Sequence, residues 1–235
     1  MRVGTAGWKI AGPVRERFTG EGTHLERYAR RFSCVEINSS FYRPHRPSTY
    51  ARWAASVPDG FRFALKVPKE ITHKRRLVDA TEPLESFLAE SAPLGQKRGV
   101  LLVQLPPSFA YDADVVGAFL SGVRARYDGL LACEPRHATW FTAAATDALR
   151  QFEVARVAAD PAVVPEAAVP AGWDGFAYYR LHGAPRTYYS SYDDQTLRDV
   201  AQRLRAALRP AWCIFDNTAM DAAAANALDL TELFI

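Results

Sequence analysis

One apolar run after another in this chain breaks, at its carboxyl end, on a residue that can do chemistry. Val35-Glu36-Ile37-Asn38 closes on Glu and Asn, Phe63-Ala64-Leu65-Lys66 on Lys, and Val100-Leu101-Leu102-Val103-Gln104 on Gln. Leu130-Leu131-Ala132-Cys133-Glu134 closes on Glu, Val157-Ala158-Ala159-Asp160 on Asp, Tyr179-Arg180-Leu181-His182 on Arg and His, and Cys213-Ile214-Phe215-Asp216-Asn217 on Asp and Asn. A sheet selected for stability alone has no reason to end this way. A parallel α/β sheet with its site beyond the carboxyl ends of its strands does.

Strands are expected near 2–5, 34–38, 61–66, 100–104, 130–134, 154–160, 176–182 and 211–216. Between them lie stretches such as Leu25–Phe32, Val115–Leu120, Leu197–Leu204 and Ala222–Leu233, whose apolar residues recur at helical spacing. Eight such units point to an α/β fold: a single (β/α)8 barrel of the TIM type with a parallel eight-stranded sheet. A doubly wound open sheet is the alternative, but Thr5-Ala6-Gly7-Trp8 lacks the Gly-rich first turn that usually accompanies it. Alternation along each strand sorts the residues by face. With Glu36, Asn38, Lys66, Gln104, Arg180 and His182 turned to one side, the opposite side carries apolar neighbours. Strand six is the exception, because an inward Asp160 also places Arg156 inside.

At 235 residues and 49% hydrophobic content the chain can bury one sizeable core. No linker, repeat or low-complexity tract divides it, so residues 1–235 are expected to form a single domain. The first expected strand follows Met1 directly, without a basic and apolar leader, and nothing approaches the roughly 20 apolar residues of a membrane span. Cys34, Cys133 and Cys213 are odd in number and lie within strands. They read as reduced, buried thiols, and the expected location is cytoplasmic, with no membrane partner. A net charge of +3 is too mild to argue for nucleic acid by itself.

Several motifs in order resemble the YecE-like family, the domain-of-unknown-function family numbered seventy-two. They are Gly4-Thr5-Ala6-Gly7-Trp8, Val35 through Tyr42, Phe61 through Pro68, Ile71-Thr72-His73, Gln104-Leu105-Pro106-Pro107, Glu134-Pro135-Arg136-His137 with Trp140, and Tyr179-Arg180-Leu181-His182-Gly183. The resemblance covers essentially the whole chain and implies a TIM-type barrel, but it implies no particular reaction. Where the family's closing motif resembles Phe-Asn-Asn, this chain has Phe215-Asp216-Asn217, which adds a carboxylate.

Glu36 and Glu134 are the leading acid/base candidates, with His182 as a second proton carrier and Lys66 as a fourth catalytic candidate. Lys66 could form a Schiff base if desolvated, although a cation paired with a neighbouring carboxylate is the commoner arrangement. Trp8, Asn38, Tyr42, His73, Gln104, Arg136, His137, Arg180, Arg186, Tyr188, Asp216 and Asn217 are the candidate substrate contacts. Among them Arg136, Arg180 and Arg186 are assigned to an anionic group, which a guanidinium holds bidentately. No cofactor is identified. A divalent metal on Glu36, Glu134, Asp160, His182 and Asp216 is the less favoured reading, because no paired-histidine spacing supports it.

These residues point to an enzyme acting on an anionic, polyhydroxylated small molecule such as a sugar phosphate or nucleotide, by hydrolysis, elimination or isomerisation. A reading from another class is a nucleic-acid-binding module or metal-dependent nuclease that uses the basic, aromatic loops, notably Lys74-Arg75-Arg76. Oligomeric state leaves no mark in the sequence.

Overall fold

The computed structural model describes residues 1–234. Ten strands form: β1 (Arg2–Thr5), β2 (Cys34–Ile37), β3 (Arg62–Lys66), β4 (Arg98–Gln104), β5 (Leu130–Glu134), β6 (Val154–Arg156), β7 (Ala158–Asp160), β8 (Ala171–Gly172), β9 (Ala177–Leu181) and β10 (Ala211–Phe215). Helices α1 (His24–Ala29), α2 (Ser39–Tyr42), α3 (Pro47–Ala55), α4 (Thr81–Ser91), α5 (Ala113–Arg124), α6 (Ala143–Gln151), α7 (Asp194–Ala206) and α8 (Ala222–Glu232) lie between and after them. The helices start where the chain offers side-chain acceptors. Thr23 and Glu26 make a reciprocal capping box on α1, and Asp112, Thr142 and Asp193 cap α5, α6 and α7. Each then buries one stripe, as α7 does with Leu197, Val200, Ala201 and Leu204.

The expected single eight-stranded sheet is replaced by two sheets. One has the order β1-β10-β9-β7 and the other β2-β3-β4-β5-β6-β8, with every neighbour parallel except the short antiparallel pair β6 and β8. The cause lies in the segment expected as one strand over 154–160. It is interrupted at Val157, so β6 pairs with β5 while β7 pairs with β9. Across the other seam, β1 and β2 meet through a single bridge between Ala6 and Glu36, where the Gly7 N–H donates to the Glu36 carbonyl at 2.8 Å.

Two apolar clusters follow from the strand alternation. Val35, Ile37, Phe63, Leu65, Leu101, Val103, Tyr179 and Leu181 pack with the helices. On the opposite face Cys34, Ala64, Leu102, Ala132, Ala155, Tyr178, Trp212 and Ile214, drawn from both sheets, meet one another. The sheets therefore face each other over a shared interior, and the next residues along each strand are the polar ones. Ala155 and Val157 belong to that interior, which turns Arg156 and Asp160 to the helix side. This corrects the inward placement expected for strand six. Arg156 donates to Thr146 Oγ1 and the Glu166 carbonyl and lies over the Phe141 ring, while Asp160 accepts the Tyr192 hydroxyl at 2.8 Å.

At the β1–β2 seam, Gly4 is required by close approach. A Cβ there would sit 2.3 Å from the Cys34 carbonyl oxygen. Gly4→Ala is expected to destabilise the protein by about 1–3 kcal/mol through overpacking of backbone on backbone, read as a lower urea midpoint with an unchanged denaturant slope.

Candidate functional site

The strand ends converge on one guanidinium. In β9 the alternation that sends Tyr179 and Leu181 to the helices sends Tyr178, Arg180 and, just beyond the strand, His182 to the interior. Arg180 is wholly buried and bonds three carboxylates. Its Nε and Nη2 donate to Glu36 at 3.1 and 2.7 Å, Nη1 donates to Glu134 Oε2 at 2.5 Å, and Nη2 also reaches Asp216 Oδ2 at 2.9 Å. Tyr178 adds a hydroxyl to Glu36 Oε2 at 2.9 Å. Glu36 closes β2, Glu134 closes β5 and Asp216 follows β10, so both sheets are tied to the same cation.

His182 spans two of the same acids. Its Nδ1 lies 3.1 Å from Asp216 Oδ2 and its Nε2 3.0 Å from Glu134 Oε1. An ionised carboxylate only accepts, so both ring nitrogens must donate and the ring is an imidazolium. Burial alone would lower the His182 pKa, but the charge of Glu134 and the bonds to Asp216 and Glu134 raise it above its ordinary value. Burial works in the other direction on Glu134, and Arg180, His182 and Arg136 overcome it, holding that carboxyl well below the usual range. Asp216 is lowered in the same way, chiefly by Arg180 against its burial. Neither Glu134 nor Asp216 is therefore a strong proton acceptor. The proton most readily given up in this cluster is the one on His182.

Arg136 donates to Glu134 Oε1 at 2.9 Å and to the Tyr188 hydroxyl at 3.0 Å, and Tyr188 lays its ring edge-on to His182. Gln104 reaches Glu134 at 3.4 Å, and the Asn38 amide reaches Asp216 Oδ1 at 3.3 Å. The buried Asn38 Oδ1 has no hydrogen-bond partner.

Lys66 differs from the other charges. It is 8% exposed, and its Nζ sits 4.1 Å from the Phe41 ring centroid, with no carboxylate at ion-pair distance among the described residues. Glu36 and Lys66 form no ion pair, because Arg180 and Tyr178 occupy Glu36. Burial and then the charge of Arg180 push the Lys66 pKa down to about 8, against the opposing pull of Glu36, Asp216 and Glu134. Phe41 is held against it by the turn after β2, where the Ser40 hydroxyl donates to the carbonyls of Ile37 and Lys66. His73, in a π-helical turn (Glu70–Lys74), packs edge-on to Phe41. Its pKa is lowered by burial and by Lys66, Lys69 and Arg136.

The remaining candidates lie outside this network of contacts. Trp8 packs against Trp53, Tyr42 is 75% exposed, and Arg186 is exposed with its guanidinium over Tyr189. His137 caps the 3-10 turn Ala138–Trp140 by accepting from the Thr139 N–H. Asn217 is buried and donates to the Ser190 carbonyl and to Asn226 Oδ1, so it anchors the loop after β9. In the basic loop, Lys74 and Arg75 both pair with Glu70, and Arg76 bonds Ser108 and covers Phe109. Tyr178 was not singled out from the sequence, although its spacing of two from Arg180 marks the same face. Among the described residues, no group of three or more His, Cys, Asp or Glu side chains is arranged to hold a metal ion, and no helix is long and apolar enough to cross a membrane.

Comparison with known proteins returns one family. The family described as "Protein of unknown function DUF72" matches residues 2–235. The chain is 38% identical over 87 residues to the UPF0759 protein YecE of Escherichia coli, a stretch covering 37% of this chain and 32% of that protein. It is 26% identical over 147 residues to the UPF0759 protein YunF of Bacillus subtilis, covering 60% of this chain and 52% of that one. The matches thus span about a third to a half of these relatives' length. Among solved structures, a DUF72 family protein from Thermotoga maritima superposes with TM-score 0.83 at 25% identity, covering 99% of this chain and 98% of that one. One from Enterococcus faecalis gives 0.81 at 23% identity, covering 99% and 94%. The fold alone is shared with a D-psicose 3-epimerase crystallised in the presence of D-fructose, at TM-score 0.55 and 12% identity over 100% of this chain and 97% of that one.

Removing the central cation leaves Glu36 buried with no cation and strips one from Glu134 and Asp216. Arg180→Met is expected to cost about 3–5 kcal/mol in chemical denaturation. The pH dependence has two signs. Glu134 and Asp216, depressed on folding, contribute stability that is lost as acid takes the pH below their ordinary values of 4.5 and 3.8. His182, raised on folding, contributes stability that is complete below 6.5 and is lost as pH rises through its folded value. Lys66, depressed, makes stability rise with pH between about 8 and 10.5. The expected stability loss as pH rises above 6.5 should disappear in His182→Gln, as measured by urea midpoints at pH values below the rise that Lys66 brings in from about 8.

Proposed function

The chain belongs to the DUF72 family, and within it we propose an enzyme that acts on an anionic, polyhydroxylated small molecule of the sugar-phosphate or nucleotide type. The two facing sheets serve in this proposal as a (β/α)8-type frame, with chemistry at the carboxyl ends of their strands. The observation that carries the reading is the charge count. Glu36, Glu134 and Asp216 are matched by direct contacts to Arg180, Arg136 and His182, which leaves the Lys66 cation without a counterion. Lys69 and Arg136 lie close enough to His73 to depress it further. A desolvated surplus of positive charge at the end of β3 attracts an anion.

The roles divide by protonation state. His182, an imidazolium between two ionised carboxylates, is the proton donor. Glu134 and Asp216 hold its orientation and charge, and Glu36 with Tyr178 fixes Arg180. Arg180 has already given its donors to three acids and is a scaffold, so the anionic group falls to Lys66, Lys69 and Arg136. Asn38 Oδ1, buried and unpartnered beside Asp216, would accept from a substrate hydroxyl that reached the cluster. The loops after β2 and β3 favour the nucleic-acid reading less, since Lys74 and Arg75 already share Glu70.

Thermal-shift titration tests this. Sugar phosphates and nucleotides are expected to raise the melting temperature, by the equivalent of about 2.7 kcal/mol at a hundred times Kd. Neutral sugars of the same size should not, and Lys66→Met should abolish the effect. Equal shifts from neutral sugars, or none from any anion, would overturn the substrate class. Oligonucleotide binding that weakens with salt at a log–log slope of about −0.7 per phosphate would favour the nucleic-acid module.

A further inference from the structure

We propose that Lys66 forms a covalent imine with the carbonyl carbon of an open-chain sugar phosphate that enters along the groove bounded by Phe41, Arg43 and Lys69. This rests on the anionic-substrate reading above and adds the reacting group. The chain has five lysines. Lys9 pairs with Asp221, Lys74 with Glu70, and Lys97 with Asp59 and two backbone carbonyls, while Lys69 is exposed. Lys66 alone among them is both buried and without a carboxylate partner. An ammonium held that way gains little from remaining charged, which is the condition for an amine nucleophile at neutral pH. With its pKa near 8, about a tenth of the amine is unprotonated at pH 7, against well under a thousandth for an ordinary lysine.

The groove lies beside Lys66, with Phe41 between them, and its charges are mixed: Arg43, Lys69, Lys74 and Arg75 against Glu70, Glu82 and Glu90. It has a volume of about 430 Å³, within the range of small-molecule sites. Its wall includes Ser40 and Phe41, the residues that bond the Lys66 carbonyl and face its Nζ. Arg43 and Lys69 also line it, and neither forms an ion pair among the described residues. Here the phosphate, drawn in by the resting Lys66 ammonium, passes to Lys69 and Arg43 once the amine has lost its proton. Turning the Phe41 ring aside would join the groove to Lys66.

The step balances without a co-reactant. The Lys66 amine, having released one proton, attacks the carbonyl carbon. The C–N bond forms as the C=O π pair moves to oxygen, which takes a proton to give the carbinolamine. The oxygen then leaves as water with a further proton from the His182 imidazolium, which the proton released by the Lys66 ammonium replaces. Ammonium plus carbonyl thus becomes iminium plus water, and nothing is oxidised or reduced. The iminium draws electrons from the adjacent carbon and acidifies its C–H, which serves isomerisation or carbon–carbon cleavage.

Borohydride trapping decides the matter. The protein would be incubated with dihydroxyacetone phosphate or ribose 5-phosphate, reduced with sodium borohydride, and followed by intact mass and peptide mapping. The expected result is one reduced adduct per chain, on Lys66, forming at least ~10-fold faster than on Lys69 or Lys9. It should be absent in Lys66→Arg and undiminished in Lys9→Arg. Mapping on the unaltered protein keeps the test valid if Lys66→Arg fails to fold. Adducts spread evenly over the lysines, or none on Lys66, would overturn the imine. Glycerol 3-phosphate, which has no carbonyl, separates the two proposals. If it raises the melting temperature while neither carbonyl phosphate gives an adduct on Lys66, the imine is wrong and the anion site stands. If it leaves the melting temperature unchanged and neither carbonyl phosphate gives an adduct on Lys66, both fail. Equal labelling by unphosphorylated dihydroxyacetone would overturn the phosphate-selective part.

Discussion

Everything at the strand ends depends on the Arg180 guanidinium. A planar fork with five donors can meet Glu36, Glu134 and Asp216 at once, which a lysine ammonium on a flexible stem cannot do with the same geometry. Burying three carboxylates is unfavourable unless such a partner is present. Once it is, Glu134 and Asp216 stay ionised, His182 becomes an imidazolium between them, and Arg136 is drawn in against Glu134. Lys66 is left out of this pairing because its possible partner Glu36 is fully occupied. Its unusual state is therefore a consequence of the cluster and not of its own immediate contacts alone.

Aromatic residues complete the enclosure. Phe41 stands against Lys66 on one side of the cluster and Tyr188 against His182 on the other. Tyr188 occupies the left-handed backbone region with φ of 71°, a conformation a large side chain adopts only when its surroundings impose it. Here the Arg136 bond to its hydroxyl and the Ala219 N–H donating to its carbonyl impose it. The ring that covers the imidazolium is thus held at backbone and at side chain.

Much of this was legible in the sequence because strands have a period of two. That period alone puts Glu36, Lys66, Gln104, Arg180 and His182 on one face and their apolar neighbours on the other. The same rule misplaces Asp160 and Arg156 when anchored on the wrong residue, because both parities of that strand carry a charged side chain. The division into two sheets was not legible, since Val157 looks like any strand residue and the change of partner there is a tertiary event. Duties set by local hydrogen bonding were also hidden. His137 as a cap and Asn217 as a loop anchor carry the same donors and acceptors that a substrate contact would.

The carboxylate cluster also acts on the chain as a whole, by fixing register. A one-residue slip of β9 would exchange its two faces, turning Arg180 toward the helices and bringing Tyr179 or Leu181 among Glu36, Glu134 and Asp216. Glu36 and Asp216 would then lose their cation and Glu134 would keep only Arg136, whereas a slip in an all-apolar interior would cost only imperfect packing. Because the acids arrive from β2, β5 and the end of β10, the penalty applies to the alignment of both sheets at once. The residues that would handle protons in the finished protein are, during assembly, the ones that reject misaligned strands.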